Sequence, residues 1–160
     1  DMATSGVMVF AIGAAAQRAL SMAFERRQIN KRYVADVHGL VAQDEGQMTW
    51  PLIADWPNRP RQHVDFVLGK PSTTLFRVLS RNPASKTTKL ELTPITGRSH
   101  QLRVHCLTLG HPIVGDTLYG WDDGAATLRL HATQIDLPTP SPHDSDAPRV
   151  QFESKEPAWT

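Results

Sequence analysis

The sequence of 160 residues lacks several features that would point to particular classes of protein. It has one cysteine, Cys106, so no disulfide can form within the chain, which favours a reducing compartment. No apolar run approaches the roughly 20 residues that a membrane span needs. The first dozen residues also lack the basic segment of a signal peptide. The sequence therefore predicts a cytoplasmic protein that does not enter a membrane.

Sequence motifs for common cofactors and metal ions are also missing. The chain contains no GxGxxG, P-loop, HExxH or GxSxG pattern, and its seven histidines do not fall at zinc-ligand spacings. These gaps favour a chemistry that uses no cofactor and no metal ion. Cys106 lies on the apolar side of a predicted helix, which indicates a small core residue rather than a nucleophile.

The charges that are present nearly balance, but they are unevenly placed. The net charge is +1, which does not by itself indicate a nucleic-acid partner. Basic residues form two clusters, comprising Arg26, Arg27, Lys31 and Arg32 in the first and Arg59 and Arg61 in the second. A basic face of this kind fits contact with phosphates, although an ordinary solvated surface can carry the same residues.

Hydrophobic periodicity predicts a mixture of strands and helices. Apolar runs predict strands over residues 7–11, 31–37, 73–79, 86–93, 128–135 and 149–152. Apolar residues at every fourth position predict a helix over 14–27, and a second helix should end near Gly110. Residues 43–63 are predicted to form a functional loop, and residues 138–148 a proline-rich loop. Because the strands and helices do not alternate regularly, the fold class is predicted to be α+β.

The segment from Thr96 to His105 is the most informative part of the chain. It packs two arginines and two histidines into ten residues, and buried charges without partners cost several kcal/mol. If the segment is helical, Leu102, Cys106 and Leu109 share an apolar stripe. Such a helix would rest on a core and direct Arg103 at an anion. That anion could be a phosphate, an acidic side chain, or both.

Seven short motifs occur in a recognisable order along the chain. They read DMATSG, KRYVA, DWPNRP, GKPSTT, TGRSHQLRVH, GHPIVGD and LRLHA. Over about residues 1–135 their order and spacing resemble the RluA-type family of RNA pseudouridine synthases, and DWPNRP and the Met-Ala pair after the aspartate resemble its RluA branch. The resemblance implies a mixed, largely antiparallel β-sheet with flanking helices. It also implies that residues 1–160 are the C-terminal portion of a single catalytic domain whose N-terminal part is missing.

The resemblance further implies an enzyme that isomerises specific uridines of structured RNA after flipping the base out, without a cofactor. The substrate would be 23S rRNA, a tRNA anticodon stem-loop, or both. Asp1 matches the catalytic aspartate, Tyr33 the active-site tyrosine, and Arg103 the basic residue that pairs with the aspartate. Leu102 matches an aliphatic residue beneath the pocket. The expected RNA contacts are Arg98 and His100, either of which could instead be structural, and Arg59, Arg61, Arg26 and Arg27.

Two other interpretations remain open at this point. In the family motif His-Arg-Leu precedes the aspartate, so the chain could be a non-catalytic RNA-binding fragment of such an enzyme. A structural or partner-binding α+β domain rests on composition alone, and it predicts no salt-dependent RNA binding. We expect a monomer that has RNA as its partner and binds neither a membrane nor a metal ion.

Overall fold

Strands make up most of the regular structure in the computed structural model, which describes residues 1–139 and 148–159. The strands are β1 (Ser5–Gly6), β2 (Asn30–His38), β3 (Glu45–Met48), β4 (Leu52–Ala54), β5 (Gln62–Val64), β6 (Thr74–Asn82), β7 (Thr87–Pro94), β8 (Leu130–Pro138) and β9 (Arg149–Glu153). The helices are α1 (Ala14–Glu25) and α2 (Gln101–Thr108). Neither of these helices is long and apolar enough to cross a membrane.

Seven of these strands form one mixed sheet. Its order is β1-β8-β2-β7-β6-β3, and β9 pairs with the C-terminal half of β8. The pairs are antiparallel, except that β1 runs parallel to β8. Strands β4 and β5 form a separate antiparallel pair. The predicted α+β class, with a largely antiparallel sheet and flanking helices, is confirmed.

The main core lies between one face of this sheet and helix α2. Leu90 and Leu92 alternate along β7 and are fully buried, as expected for a strand with one face on a core. The apolar stripe of α2 packs on the same cluster through Leu102 and Cys106, with Leu109 at its margin. The predicted stripe is therefore present, and its burial fixes the orientation of α2 across the sheet.

The strand predicted over residues 7–11 is wrong. Only Ser5 and Gly6 pair with β8, and the backbone N–H of Val7 donates the last hydrogen bond, to the Ala132 carbonyl. Beyond that bond the chain leaves the sheet, and alternate apolar side chains such as Phe10 are exposed. The apolar run was misleading because one half of its side chains packs on α1 and β8 while the other half does not.

Other boundaries also differ from the prediction. Helix α1 ends at Glu25, and Arg27 adopts a left-handed φ of 57°, which cannot continue a helix. On this helix Ala23 is buried and Phe24 is exposed. The buried face predicted from apolar residues at every fourth position is therefore shifted at the C-terminal end of the helix. Helix α2 begins at Gln101, so only the second half of the segment from Thr96 to His105 is helical.

The segment 43–63 is more regular than predicted. It holds β3, β4 and β5, whose three or four residues each are too few to show an alternating pattern. Met48 and Leu52 are nevertheless buried, and they anchor the segment on the core. Most of the predicted loop 138–148 lies outside the described residues; Pro138 ends β8, and Pro148 directly precedes β9.

Candidate active site

A tight turn over residues 96–100 connects the sheet to helix α2 and forms one wall of a cavity. The side chain of Gln101 holds this turn in place, since its Oε1 accepts hydrogen bonds from the Thr96 hydroxyl at 2.7 Å and the Arg98 N–H at 3.0 Å. Its amide nitrogen donates to the Thr73 carbonyl next to β6 at 2.9 Å. The turn is therefore tied to the sheet as well as to the helix.

Arg103, in the first turn of α2, contacts two carboxylates. Its Nε and Nη2 donate to the two oxygens of Asp116 at 2.8 and 2.6 Å, as a bidentate pair. Its Nη1 donates to both oxygens of Asp1 at 3.1 Å. Arg103 is 6% exposed and Asp116 1% exposed, so this guanidinium bridges a deeply buried carboxylate and one at the cavity wall.

Asp116 did not emerge as a site residue from the sequence, although it lies in the GHPIVGD motif. Besides Arg103 it accepts the backbone N–H groups of Leu118 and Tyr119, both at 3.0 Å. A signal was available: an aspartate directly after the apolar run Pro-Ile-Val-Gly is expected to be buried, and a buried carboxylate needs a cation. Arg103 is the cation that meets this need.

Tyr119, which the sequence analysis also missed, lies against Arg103. Its ring centroid is 5.1 Å from the guanidinium carbon, within the range of a cation–π contact. The hydroxyl accepts the Gln62 N–H at 2.8 Å and lies 2.7 Å from Nδ1 of His100, to which its own proton is available. Burial, together with the nearby charge of Arg103, lowers the pKa of His100 and favours its neutral ring.

Next to Arg103 lies a cavity of about 400 Å³, a volume typical of sites for small ligands. Asp1 and Arg103 lie on its wall, together with Tyr33 from β2 and Leu102 from α2. Burial raises the pKa of Tyr33, so its phenol is protonated around neutral pH. The cavity thus combines an ion-paired carboxylate, a phenol and an apolar surface.

The structure brings six of the ten predicted site residues to this cavity and leaves four outside it. Those that line it are Asp1, Tyr33, Arg98, His100, Leu102 and Arg103. Arg26 and Arg27 are exposed beyond the end of α1. Arg59 stacks on Trp56, and its guanidinium carbon is 4.3 Å from the centroid of the indole ring. The guanidinium carbon of Arg61 is 5.7 Å from the ring centroid of Tyr119.

This arrangement suits acid–base or nucleophilic chemistry on a flat, polar substrate. The guanidinium of Arg103 stabilises the ionised form of Asp1, which is the form that a nucleophile or a base requires. Tyr33 offers a flat ring for stacking and a hydroxyl for proton transfer. Within the described part of the chain, no group of His, Cys, Asp and Glu side chains could hold a metal ion.

Comparison with known proteins gives the family. The sequence profile described as RNA pseudouridylate synthase matches residues 1–108 of the chain. The chain belongs to this family. Members similar to it include the dual-specificity RNA pseudouridine synthase RluA of Haemophilus influenzae, which is 49% identical over 143 residues. The protein of the same name from Yersinia pestis is 50% identical over 143 residues.

The chain matches only part of each relative in this synthase family. The alignments cover 88% of the chain but 65% of the Haemophilus protein and 69% of the Yersinia protein, so the chain spans about two thirds of their length. A solved structure, human RNA Pseudouridylate Synthase Domain Containing 1, superposes with a TM-score of 0.78 at 31% identity, over 96% of this chain and 66% of that one. A second solved structure, human RNA Pseudouridylate Synthase Domain Containing 4, shares the fold with a TM-score of 0.67 at 24% identity.

Proposed function

We propose that this chain carries the active site of an RNA pseudouridine synthase, an isomerase that converts specific uridines of structured RNA into pseudouridine. The observation that carries the proposal is the position of Asp1. Its carboxylate is held by Nη1 of Arg103 at 3.1 Å, on the wall of a cavity that also contains Tyr33. A buried arginine paired with a carboxylate on the wall of a cavity of this size is a frequent arrangement in active sites.

Asp1 is the proposed catalytic group. The reaction breaks the N–C glycosidic bond of uridine, rotates the uracil and joins it to the ribose through carbon, so that no atom is gained or lost. An ionised carboxylate can start this sequence at the ribose, by attack or by proton removal, or at the uracil ring by addition. Each of these routes requires the charge that Arg103 stabilises.

Tyr33 and Leu102 are proposed to hold the extruded base. A uracil in a duplex or a folded loop is hidden, so the nucleotide must leave its stack before Asp1 can reach it. In the cavity, the Tyr33 ring can stack on the uracil, and the neutral phenol can exchange a proton with it. Leu102 contributes the apolar surface beneath the base.

The substrates are proposed from the relatives, which are named dual-specificity RNA pseudouridine synthases. We propose 23S rRNA, a tRNA anticodon stem-loop, or both, since unpaired loop bases are the least costly to extrude. Arg98 and His100 would contact the RNA at the cavity. Four more distant arginines would contact phosphates around it, namely Arg26, Arg27, Arg59 and Arg61.

The setting of the enzyme is part of the same proposal. We propose a monomer that acts in the cytoplasm. We also propose that it uses no metal ion or cofactor, because an isomerisation needs no external redox partner. The thiol of Cys106 is buried, and burial raises its pKa to about 12, which suits a core residue rather than a reactive one. The chain is proposed to be a portion of one catalytic domain, given the longer relatives.

The test is conversion of uridine by the full-length protein that contains this chain. Stem-loop RNA with tritium at uracil C5 releases the label on isomerisation, and a carbodiimide adduct locates the product. We expect conversion by the wild type and none by Asp1→Asn, with RNA affinity retained. Asp122→Asn, at an exposed position, serves as the control. Full activity of Asp1→Asn would refute the role of Asp1, and RNA binding without any conversion would favour a non-catalytic RNA-binding protein.

A further inference from the structure

Lys31 is a cavity residue that the proposed chemistry does not use. It lies on β2 two residues before Tyr33, and both side chains line the cavity. Its ammonium nitrogen is 5.9 Å from the ring centroid of Phe24 on the neighbouring helix. A Cβ placed on Gly97 would lie 3.4 Å from this nitrogen and would touch nothing else within 4 Å. The ammonium group therefore stands over the glycine of the turn, beside open space.

The burial of this lysine is poorly compensated within the described part of the chain. No carboxylate there lies within 4.0 Å of its nitrogen, and burial lowers the pKa of Lys31. The Phe24 ring offers a cation–π contact at the far end of its usual range. The charge of Arg103 on the same cavity wall is paired, by contrast, because this residue binds both Asp1 and Asp116. A cation held at such a cost indicates a missing anion.

A second cation, more exposed than Lys31, also lines the cavity. Arg98 lines it, and the guanidinium Nε donates to the Pro71 carbonyl at 3.3 Å rather than to a carboxylate. Lys31 lies over Gly97 and Arg98 follows this glycine in the chain, and the missing side chain leaves room for another backbone to approach. A lysine ammonium is a compact point charge, and it suits a phosphate oxygen better than the weak dipole of a uracil carbonyl.

We propose that Lys31 binds a backbone phosphate of the RNA next to the extruded uridine, above Gly97. The proposal rests on the proposed function, since it assumes that RNA enters this cavity. It makes Lys31 a substrate-binding residue and not a catalytic one. The contact holds the RNA equally in the ground state and the transition state. The phosphate supplies the negative charge that no described carboxylate places within 4.0 Å of Lys31.

The first test compares Lys31→Met with Lys31→Arg in the full-length protein. We expect Lys31→Met to raise KM about tenfold with kcat within twofold of wild type, as for one lost charged hydrogen bond. The slope of log Kd for a stem-loop RNA against log salt should fall by about 0.7 to 0.9, the value for one phosphate. Lys31→Arg should restore most of both. Lys86→Met, at the far end of β7 from the cavity, should change neither.

The melting temperatures of the same variants provide an independent test. Because the charge of Lys31 is desolvated without a partner, Lys31→Met should melt at or above the temperature of the wild type. A fall of several degrees would assign the lysine a structural role and refute the proposal. An unchanged KM, or a loss confined to kcat, would refute it as well.

The second test identifies the phosphate. Single methylphosphonate linkages, which are uncharged, are placed one at a time around the target uridine. At one position the wild type should lose about tenfold in affinity, whereas Lys31→Met should lose nothing further. If no position shows this coupling, Lys31 binds no phosphate. Failure of the proposed function would look different, because the wild type would then convert no uridine whatever its affinity.

Discussion

The guanidinium of Arg103 divides its three nitrogens between two carboxylates, with Nε and Nη2 on Asp116 and Nη1 on Asp1. The bidentate contact fixes the plane of the guanidinium, because both bonds would have to break for it to rotate. Asp116 is itself held by two backbone N–H groups. The direction in which Nη1 points at Asp1 is thus set by a residue that does not line the cavity.

Removing the charge of Asp116 should reduce stability and activity together. Asp116→Asn leaves the buried guanidinium of Arg103 without its main partner, and breaking a buried pair costs about 3–5 kcal/mol. We expect a clear fall in the free energy of unfolding, measured by urea denaturation, and a loss of uridine conversion. Asp44→Asn breaks an Arg–Asp pair whose acid is 85% exposed, and it should cost no more than about 1 kcal/mol.

Replacing both partners should separate the two effects. Because the penalty comes from an unpaired buried charge, Arg103→Met combined with Asp116→Leu should be more stable than either single variant. It should remain inactive, since Asp1 then has no cation. Thermal melts and tritium release on the four proteins test this prediction. A double variant no more stable than the single ones would contradict the account of the pair.

Arg103→Lys should retain the fold better than it retains catalysis. Lysine keeps the positive charge next to Asp116, but it cannot bind two carboxylates with a rigid fork. A displacement of about 1 Å in a catalytic group can reduce the rate roughly 10²-fold. We expect a loss of that size in kcat with little change in RNA affinity, as measured by single-turnover kinetics and filter binding. Wild-type kcat would mean that the fork is dispensable.

Tyr33→Phe should distinguish stacking from proton transfer. The variant keeps the ring on the cavity wall and loses the hydroxyl. If the phenol transfers a proton, kcat should fall by about 10²- to 10⁴-fold while the RNA affinity stays near that of the wild type. Unchanged turnover would restrict Tyr33 to stacking, and Tyr33→Leu would then show what the ring contributes.

Acid should weaken the fold before its carboxylates are protonated. Burial lowers the pKa of both His100 and His105 below their ordinary value of 6.5, so the unfolded chain binds protons that the folded chain resists. The free energy of unfolding should therefore be at its full value above about pH 6.5 and fall as the pH decreases from there. Denaturation at pH 8, 7, 6 and 5 measures this slope.

Two histidine substitutions, one at a buried position and one at an exposed position, test the origin of this pH dependence. His105→Gln should be less stable at neutral pH, because it breaks buried bonds to Ser72 and Thr74, but its slope should be shallower. His63 is exposed, and His63→Gln should leave the slope unchanged. Equal slopes in all three proteins would assign the acid sensitivity to other groups.

Local patterns were sufficient to predict much of the core. The alternation of Leu90 and Leu92 on β7, and the stripe of Leu102 and Cys106 on α2, follow from the periods of a strand and a helix. Both depend on residues a few positions apart, so the sequence alone reveals them. The strands predicted over residues 73–79 and 86–93 were visible for the same reason, and as β6 and β7 they pair with each other across a short turn.

Features that depend on distant partners were harder to predict. Strand β3 pairs with β6, whose residues lie about thirty positions later, and it has too few residues to show its period. Tyr119 reaches Gln62 across 57 positions, and Asp116 pairs with Arg103 across 13 positions. The resemblance to a family supplied roles for Asp1 and Arg103, but it assigned none to Asp116, although the motif GHPIVGD contains this carboxylate.

Strand β1 places a strict demand on one residue of the chain. Ser5 and Gly6 join the segment that carries Asp1 to β8, and Gly6 has a φ of 106° and no space for a Cβ beside the Ala132 carbonyl. A Cβ at this position would lie 2.2 Å from the Ala132 carbonyl oxygen, so any larger residue would force β1 away from β8. Because Ser5 and Gly6 also line the cavity, its wall would move with the strand. The shape of the proposed site thus depends on a residue that has no side chain.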